Sequence, residues 1–406
     1  MAILENSCKS IDECLCCGNK NLVNVLDLNE QPLANSYLKS ASEDENVYPL
    51  GLNYCTECTH LQLTHAVNPD LLFRDYLYVS GTTDTLRKYF EVFVSFTADY
   101  FGPISKSSGK MSVLDIACND GSQLDAYKKY GYETYGIDPA VNLYPISSKN
   151  HNIVCDYLTD ESIAKFKTKF DIIIAQNVFA HNTYPKEFLE ICKNNLSKDG
   201  FIFIQTSQAD MVKYGQFDTV YHEHISFFSI KSMASLVNRA GLYLHDVQKT
   251  DIHGTSYVFV LTADKSKDKT LEMIASEVAH TLDTVNKFSN NAKATVIKLE
   301  KTLEKYRADG YAIVGYGAAA KGNTVLNFGK IKLDYIVDDN PLKQSLYSPG
   351  TKIPIVSFDY IHNLNKEDDV VWVPLSWNFF KEIKERIESK RTTNKDIFVQ
   401  LDFTQL

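Results

Sequence analysis

No stretch of this chain approaches the length of a membrane span, and the opening MAILENSCKS has no apolar signal core. Neither a spanning segment nor a secretory leader is expected. An excess of positive charge is also missing: the net charge of −9 argues against wholesale nucleic-acid binding. Late cysteines are few. Six of the nine lie at or before Cys58, leaving Cys118, Cys155 and Cys192 scattered beside apolar or strand-like segments. Those three read as small buried hydrophobes in a reducing compartment, so a cytoplasmic location is the expectation. What remains is ordinary for a globular chain. At 406 residues, with 44% hydrophobic and 23% charged residues, there is length for two or three domains with separate cores.

The early cysteines form two pairs. Cys14-Leu15-Cys16-Cys17-Gly18 contains one Cys-x-x-Cys, and Cys55-Thr56-Glu57-Cys58 is another. Each spacing bends the backbone so that two sulfurs reach one ion, and Gly18 tolerates the positive φ of such a knuckle. Cys14, Cys17, Cys55 and Cys58 therefore suit tetrahedral zinc in a closed structural site. Cys16 competes with Cys14 for the first place. A reduced pair of dithiols or a disulfide is the alternative. Structural zinc of this kind contributes roughly 10–16 kcal/mol of apparent binding free energy, ample for a subdomain too small for its own core.

A glycine-rich dinucleotide loop is absent from the middle of the chain. The segment 112–121 reads as a buried strand entering a tight turn, followed by a helix over 122–130, but Ala117 and Asn119 stand where glycines would. A second strand at 135–138 ends in Asp138, at a distance that suits a pair of ribose hydroxyls. Asp115, Cys118, Asn119, Asp120 and Gly121 surround the turn, and its acids repel phosphate. That environment suits a ribose, an adenine and a cationic centre, which S-adenosylmethionine combines. A third strand ends within 154–158, with Asp156 near an adenine amino group. A fourth over 170–177 ends at Asn177, with His181 just beyond, and a fifth covers 200–205. Alternating strands and helices imply a parallel doubly wound sheet with its ligand at the carboxyl ends.

A second such unit follows. The segment 311–322 reads as strand, glycine turn and helix, with Gly315, Gly317 and Ala320 in the Gly-x-Gly-x-x-Gly/Ala pattern and Asp338 after the next strand. Tyr316, Lys321 and Asn323 complete a candidate diphosphate site at a helix N-terminus. Alone, this suggests a nicotinamide dinucleotide. Between the units, residues 265–307 show helical periodicity and form one long connecting helix or two.

The run Tyr221-His222-Glu223-His224 lacks the spacing of a zinc protease, since position 226 is Ser226 rather than histidine. In an extended segment His222 and His224 would share one face and Tyr221 and Glu223 the other, whereas a turn would let them converge differently. The mixture suits proton transfer; a polar surface loop is the plain alternative.

Together these motifs resemble the sugar C-methyltransferases that act on nucleotide-linked 4-keto-deoxysugars. The resemblance spans almost the whole chain and rests on the cysteine pairs, Tyr76 to Thr83, Cys118 to Gly121, Gln176 to His181, Tyr221 to His224 and Gly315 to Gly322. It implies an α/β chain in three parts: a zinc-binding N-terminal domain (1–80), an S-adenosylmethionine-binding methyltransferase domain (81–264) and, after a helical linker (265–307), a C-terminal Rossmann-like domain (308–406). The last would hold the sugar nucleotide, displacing the nicotinamide reading. Two departures stand out: Thr255 in His253-Gly254-Thr255-Ser256, where the family usually has a second glycine, and Ala117, where glycine is more usual.

Methylating carbon requires a nucleophilic carbon first, hence a base, donors around an enolate oxygen and an aligned methyl donor. The expected roles are His224 as base, Glu223 as its positioner or relay, Tyr221 with Tyr76 or Tyr78 as donors to the sugar, and His181 polarising the ketone. The expected partner is a nucleotide-linked keto-sugar, with no nucleic acid or membrane, and the chain is expected to be a monomer or homodimer. An oxygen or nitrogen methyltransferase and an NAD-dependent sugar-nucleotide oxidoreductase are the alternatives.

Overall fold

The computed structural model describes residues 7–74, 79–82, 84–101, 110–207, 210–250, 255–278, 280–364, 368–401 and 403. Tyr76, Tyr78, His253 and Gly254 lie outside these residues. The middle of the chain builds a seven-stranded sheet. Its order is Tyr243–Thr250, Ser256–Thr262, Leu196–Ser207, Phe170–Gln176, Ser112–Ile116, Glu133–Ile137 and Asn152–Val154. The last five in that order are mutually parallel. Their unbroken apolar runs follow from burial on both faces: Ile172, Ile173 and Ile174 are all fully buried, against two separate core clusters.

Sequence pattern and structure part at three places. The third strand is Asn152–Val154, ending where a longer one was expected, because Asp156 turns the chain by accepting the Tyr157 amide. The fifth strand begins earlier, at Leu196, with a register break before Phe201. Two further strands, Tyr243–Thr250 and Ser256–Thr262, make that edge antiparallel. A connection as short as the one between them cannot cross back for parallel pairing. The sheet is therefore mixed rather than purely parallel.

The N-terminal sheet runs Leu22–Pro32, Val47–Cys55, Leu61–Leu63, and its fourth strand, Ser226–Phe227, comes from far along the chain. That strand directly follows the Tyr221 to His224 run. The C-terminal sheet is fully parallel, in the order Ile355–Val356, Tyr335–Val337, Ala312–Tyr316, Val370–Pro374, Ile397–Phe398. The segment expected to be helical between the two units forms two helices, Thr270–Ala275 and Leu282–Ala308. Thr281 caps the longer one reciprocally with Thr284. Its buried stripe (Val285, Phe288, Ala292, Val296, Leu299, Leu303) joins one core with residues of the N-terminal sheet, the 211–227 segment and the C-terminal sheet. No helix among the described residues is long and apolar enough to cross a membrane.

The C-terminal sheet is locked at one edge by a buried ion pair. Arg391 reaches both oxygens of Asp396 (Nε–Oδ2 2.7 Å, Nη2–Oδ1 3.1 Å) and donates to the Asp368 carbonyl at 2.7 Å. Asp396 also accepts the Val370 amide and the Trp372 indole N–H, both at 2.9 Å. Removing one partner of a buried pair strands the other charge. Arg391→Ala is thus expected to lower unfolding free energy by about 3–5 kcal/mol, with Arg391→Lys recovering only part because the two-pronged fit is lost. Denaturant titration checks this; a change within about 0.5 kcal/mol, as at an ordinary surface position, contradicts it.

Candidate active site

The two Rossmann-like units make their first turns in the same way. After Ser112–Ile116, the Ala117 amide donates to the Ile137 carbonyl at 2.7 Å; after Ala312–Tyr316, the Gly317 amide donates to the Val337 carbonyl at 2.7 Å. Asp138 then accepts the Asn119 and Ala140 amides, each at 2.8 Å. Asp338 likewise accepts the Ala318 amide at 2.7 Å and the Asn340 amide at 2.8 Å. Each acid braces its own turn. Ala117 occupies the place of Gly317 and takes the same left-handed backbone, with φ of 60° against 91°. Alanine endures there a conformation that glycine adopts freely.

Around the first turn, Asp115 is buried, and burial, followed by the nearby Asp138 and Asp120, pushes its carboxyl well up. Burial also raises Asp138. Cys118 points into the core beneath Gly136, where an added side chain would meet its sulfur, so only its backbone faces the turn. Asp120 accepts the Gly81 amide at 3.0 Å and the Ser122 amide at 3.1 Å, while Asn119 accepts the Ser80 amide at 3.0 Å. These two residues pin the 80–81 segment onto the turn. Gly121, at φ 84°, starts the helix Ser122–Lys129. Asp156 stands at the rim near Lys165. Asn177 is left-handed at φ 55°, and its side-chain oxygen is buried with no hydrogen-bond partner among the described residues. Acids and an open amide oxygen at four neighbouring strand ends fit a cationic donor such as S-adenosylmethionine and disfavour a phosphate. Asp115, Asp138 and Asn177 are the groups that would hold it.

The run Tyr221 to His224 is a turn, closed by the His224 amide on the Tyr221 carbonyl at 2.9 Å. It sends its side chains in different directions. The extended alternative, with two histidines on one face, is not what forms. His222 goes to the N-terminal sheet, where Nε2 donates to the Tyr48 carbonyl at 3.3 Å, and burial drives its pKa down to about 4. Glu223, 5% exposed, accepts from Asn35 Nδ2 at 2.5 Å. His224 Nδ1 lies 2.8 Å from the Thr219 carbonyl, and Nε2 lies 2.9 Å from the Tyr221 hydroxyl. His181 stacks against His224 at 5.3 Å between ring centres and against Phe73 at 5.5 Å. Burial holds His181 at about 4, hence neutral at pH 7.

The second glycine turn faces the same region. Gly315 is a packing position between Leu333 and Leu375, and the Tyr316 ring is buried beside Trp372 with its hydroxyl donating to Asp339. Gly315 has no side chain to offer a ligand, and that of Tyr316 is engaged with Trp372 and Asp339. Gly317 admits no side chain because Ser376 fills that space. The helix Ala320–Gly329 starts from Ala319 without any side-chain cap, and Lys321 lies over the Trp377 ring at 5.5 Å. Asn323, expected to face a phosphate, instead donates to the Ala34 carbonyl at 2.7 Å. Its place beside the turn is taken by Lys343, which donates to the Ala318 carbonyl at 2.7 Å and lies over the Tyr37 ring at 5.0 Å. Asn35, Tyr37, Asp218 and Lys343 were not singled out from sequence.

The sulfurs of Cys14, Cys17, Cys55 and Cys58 all lie within 4.8 Å of one another. The knuckles match: the Gly18 amide donates to the Cys14 carbonyl at 2.8 Å and the Thr59 amide to the Cys55 carbonyl at 3.0 Å. Gly18 and Thr59 are both left-handed, at φ 78° and 64°. Cys16 is outside the cluster of four, fully buried, with its carbonyl held by Arg239 at 2.7 Å. Hydrogen bonds from Cys16 and then Cys58 pull the Cys14 thiol down, while its bond to Cys14 pushes Cys58 up. Four converging sulfurs of this kind fit zinc. Elemental analysis is expected to find one zinc per chain, lost in Cys14→Ser and Cys55→Ser and kept in Cys16→Ser. Chelation should also reduce turnover, because Leu61–Leu63 pairs with the strand after His224. Metal loss in Cys16→Ser with retention in Cys14→Ser would reverse the assignment.

Three family models match the chain: a putative zinc binding domain over residues 14–73, a methyltransferase domain over 86–247 and a C-methyltransferase C-terminal domain over 251–401. The chain is 27% identical over 398 residues to C-methyltransferase NovU of Streptomyces niveus, which covers 94% of this chain and 93% of that protein. It is 24% identical over 172 residues to the ubiquinone biosynthesis O-methyltransferase of Paraburkholderia phytofirmans, spanning 38% of this chain and 74% of that one. The first likeness runs through all three parts; the second is confined to a minor share. With zinc knuckles, a methyl-donor fold and the matching C-terminal domain in one order, the chain is an S-adenosylmethionine-dependent methyltransferase that is similar through all three of its parts to a C-methyltransferase.

Proposed function

We propose that this methyltransferase acts on a nucleotide-linked 4-keto-deoxysugar, removing the proton next to the ketone and methylating the enolate carbon. The observation that carries this reading is the tautomer of His224. A carbonyl oxygen only accepts, so the 2.8 Å contact with Thr219 keeps the proton on Nδ1. In the neutral ring the lone pair is then on Nε2, beside the Tyr221 hydroxyl. A base held in one tautomer by a backbone carbonyl is ready to accept a proton.

In the proposed step the substrate C–H gives its proton to Nε2, and its electron pair moves into the enolate, leaving negative charge on the former ketone oxygen. Neutral His181, stacked on His224, has one N–H to offer that oxygen. When bound, S-adenosylmethionine supplies the electrophilic methyl group. The uncapped N-terminus of Ala320–Gly329 with Lys321 supports a diphosphate at the C-terminal turn. The oxidoreductase alternative has less support, since the models that match the middle and the C-terminal part are a methyltransferase domain and a C-methyltransferase C-terminal domain.

The test uses TDP-, GDP- and CDP-linked 4-keto sugars, with product mass spectrometry and exchange of the substrate C–H in deuterium oxide. Wild type is expected to exchange and methylate one of them. His224→Gln should lose about 10²–10⁴-fold in turnover, about 3–5 kcal/mol. If Tyr221 relays the proton, Tyr221→Phe should lose as much; direct transfer to His224 predicts a milder loss. Methylation on oxygen or nitrogen without C–H exchange would overturn the reading.

A further inference from the structure

The loop 33–38 of the zinc-binding part threads between the His224 turn and the C-terminal glycine turn. Each residue along it has a distinct anchor. The Ala34 carbonyl accepts from Asn323 at 2.7 Å, and Tyr37 donates its hydroxyl to the Ala318 carbonyl at 2.6 Å. Leu38 and Tyr347 exchange amide hydrogen bonds at 3.0 and 2.8 Å. The Ser36 amide closes the loop on the Leu33 carbonyl at 3.0 Å. Asn35 lies between these anchors and reaches the His224 turn, with Nδ2 donating to Glu223 Oε1 at 2.5 Å. Glu223 is buried in the turn that carries His224. An amide fixed on both sides by backbone contacts restrains the carboxylate it holds, and a hydrogen bond to a charged group is among the stronger kinds.

We propose that Asn35 is a positioning residue for Glu223, so that the zinc-binding part completes the proton-handling turn. The inference rests on the reading that this turn moves the substrate proton. It gives the N-terminal region a direct part in the chemistry. It also ties the carboxylate to the C-terminal glycine turn, since Asn35 cannot shift without disturbing Ala34 and Tyr37. A spacer role would need only the shape of asparagine. A positioning role needs its N–H.

Asn35→Asp keeps the shape and replaces the donor by an acceptor facing a carboxylate. With the panel sugar that wild type methylates, kcat is expected to fall about 10–100-fold, while KM for that sugar changes less than about twofold, zinc content staying whole. The double variant Asn35→Asp/Glu223→Gln reverses the pair, letting the glutamine amide donate. Its kcat should be no lower than that of Glu223→Gln alone, because a shared interaction is lost only once. Asn35→Ala, which adds no charge, should show the same kcat loss and covers the case in which Asn35→Asp loses its zinc. Wild-type kcat in Asn35→Asp or Asn35→Ala, or multiplying losses in the double variant, overturns the proposal. If Glu223→Gln and His224→Gln also keep wild-type turnover, the proton-transfer reading itself has failed; if only the Asn35 variants do, this inference alone has.

Discussion

Asp218 is fully buried, accepts the Trp377 indole N–H at 2.5 Å, and has burial raising its pKa against the pull of Lys321. That contact fastens one end of the Phe217 to Phe227 segment to the C-terminal part of the chain, and Thr324 adds a second link by donating to the Val220 carbonyl at 3.2 Å. The same segment gives His222 to the Tyr48 carbonyl, Glu223 to Asn35, the Ile225 amide to the Ala180 carbonyl at 2.8 Å, and Ser226–Phe227 to the N-terminal sheet. It is bonded to all three parts at once. The placement of the turn that carries His224 is thus a property of the assembled molecule, although the ring itself is held by Thr219, Tyr221 and His181.

The tautomers of the two histidines show how closely that assembly controls chemistry. His222 donates through Nε2 to a carbonyl, which leaves Nδ1 as the acceptor; His224 donates through Nδ1, which leaves Nε2. Neighbouring imidazoles in one turn are therefore set in opposite senses by two backbone oxygens. His222 turns its open nitrogen into the protein interior, where it has no hydrogen-bond partner among the described residues. His224 turns its open nitrogen toward Tyr221. Only His224 of the pair has its open nitrogen beside another proton-bearing side chain.

The parts legible in the sequence were those whose signal is local. Cys-x-x-Cys spacing and the strand-turn-helix runs at Ser112 and Ala312 each lie within a few residues, whereas the Tyr221 to His224 run fitted an extended backbone or a turn equally well. The antiparallel edge strands were not read, since Tyr243–Thr250 and Ser256–Thr262 lack the strand-turn-helix punctuation of the parallel units. Asn323 looked like a phosphate ligand because helix N-terminal position is visible in sequence, while the Ala34 carbonyl that takes its amide is not. Asn35 and Tyr37 gave no signal at all: their partners, Glu223 and Ala318, are distant in sequence, and the contacts exist only after the sheets have packed. Choosing Cys14 over Cys16 likewise needed three dimensions.

A seam between three parts is a sensible place for an enolate. Stabilising charge on a ketone oxygen calls for fixed donors in a site from which water is excluded, because each donor is then stronger and needs no reorganisation. A groove within one small domain would expose one side to solvent. Here burial lowers the His181 pKa to about 4 and pushes the Tyr37 hydroxyl well up, so both groups stay neutral at pH 7 beside the turn proposed to handle the proton. The zinc knuckles then have a mechanical role without touching the substrate. They fix Val47–Cys55 and Leu61–Leu63, which in turn fix Ser226–Phe227 beside His224, so the metal's binding energy would become rigidity at the proposed base.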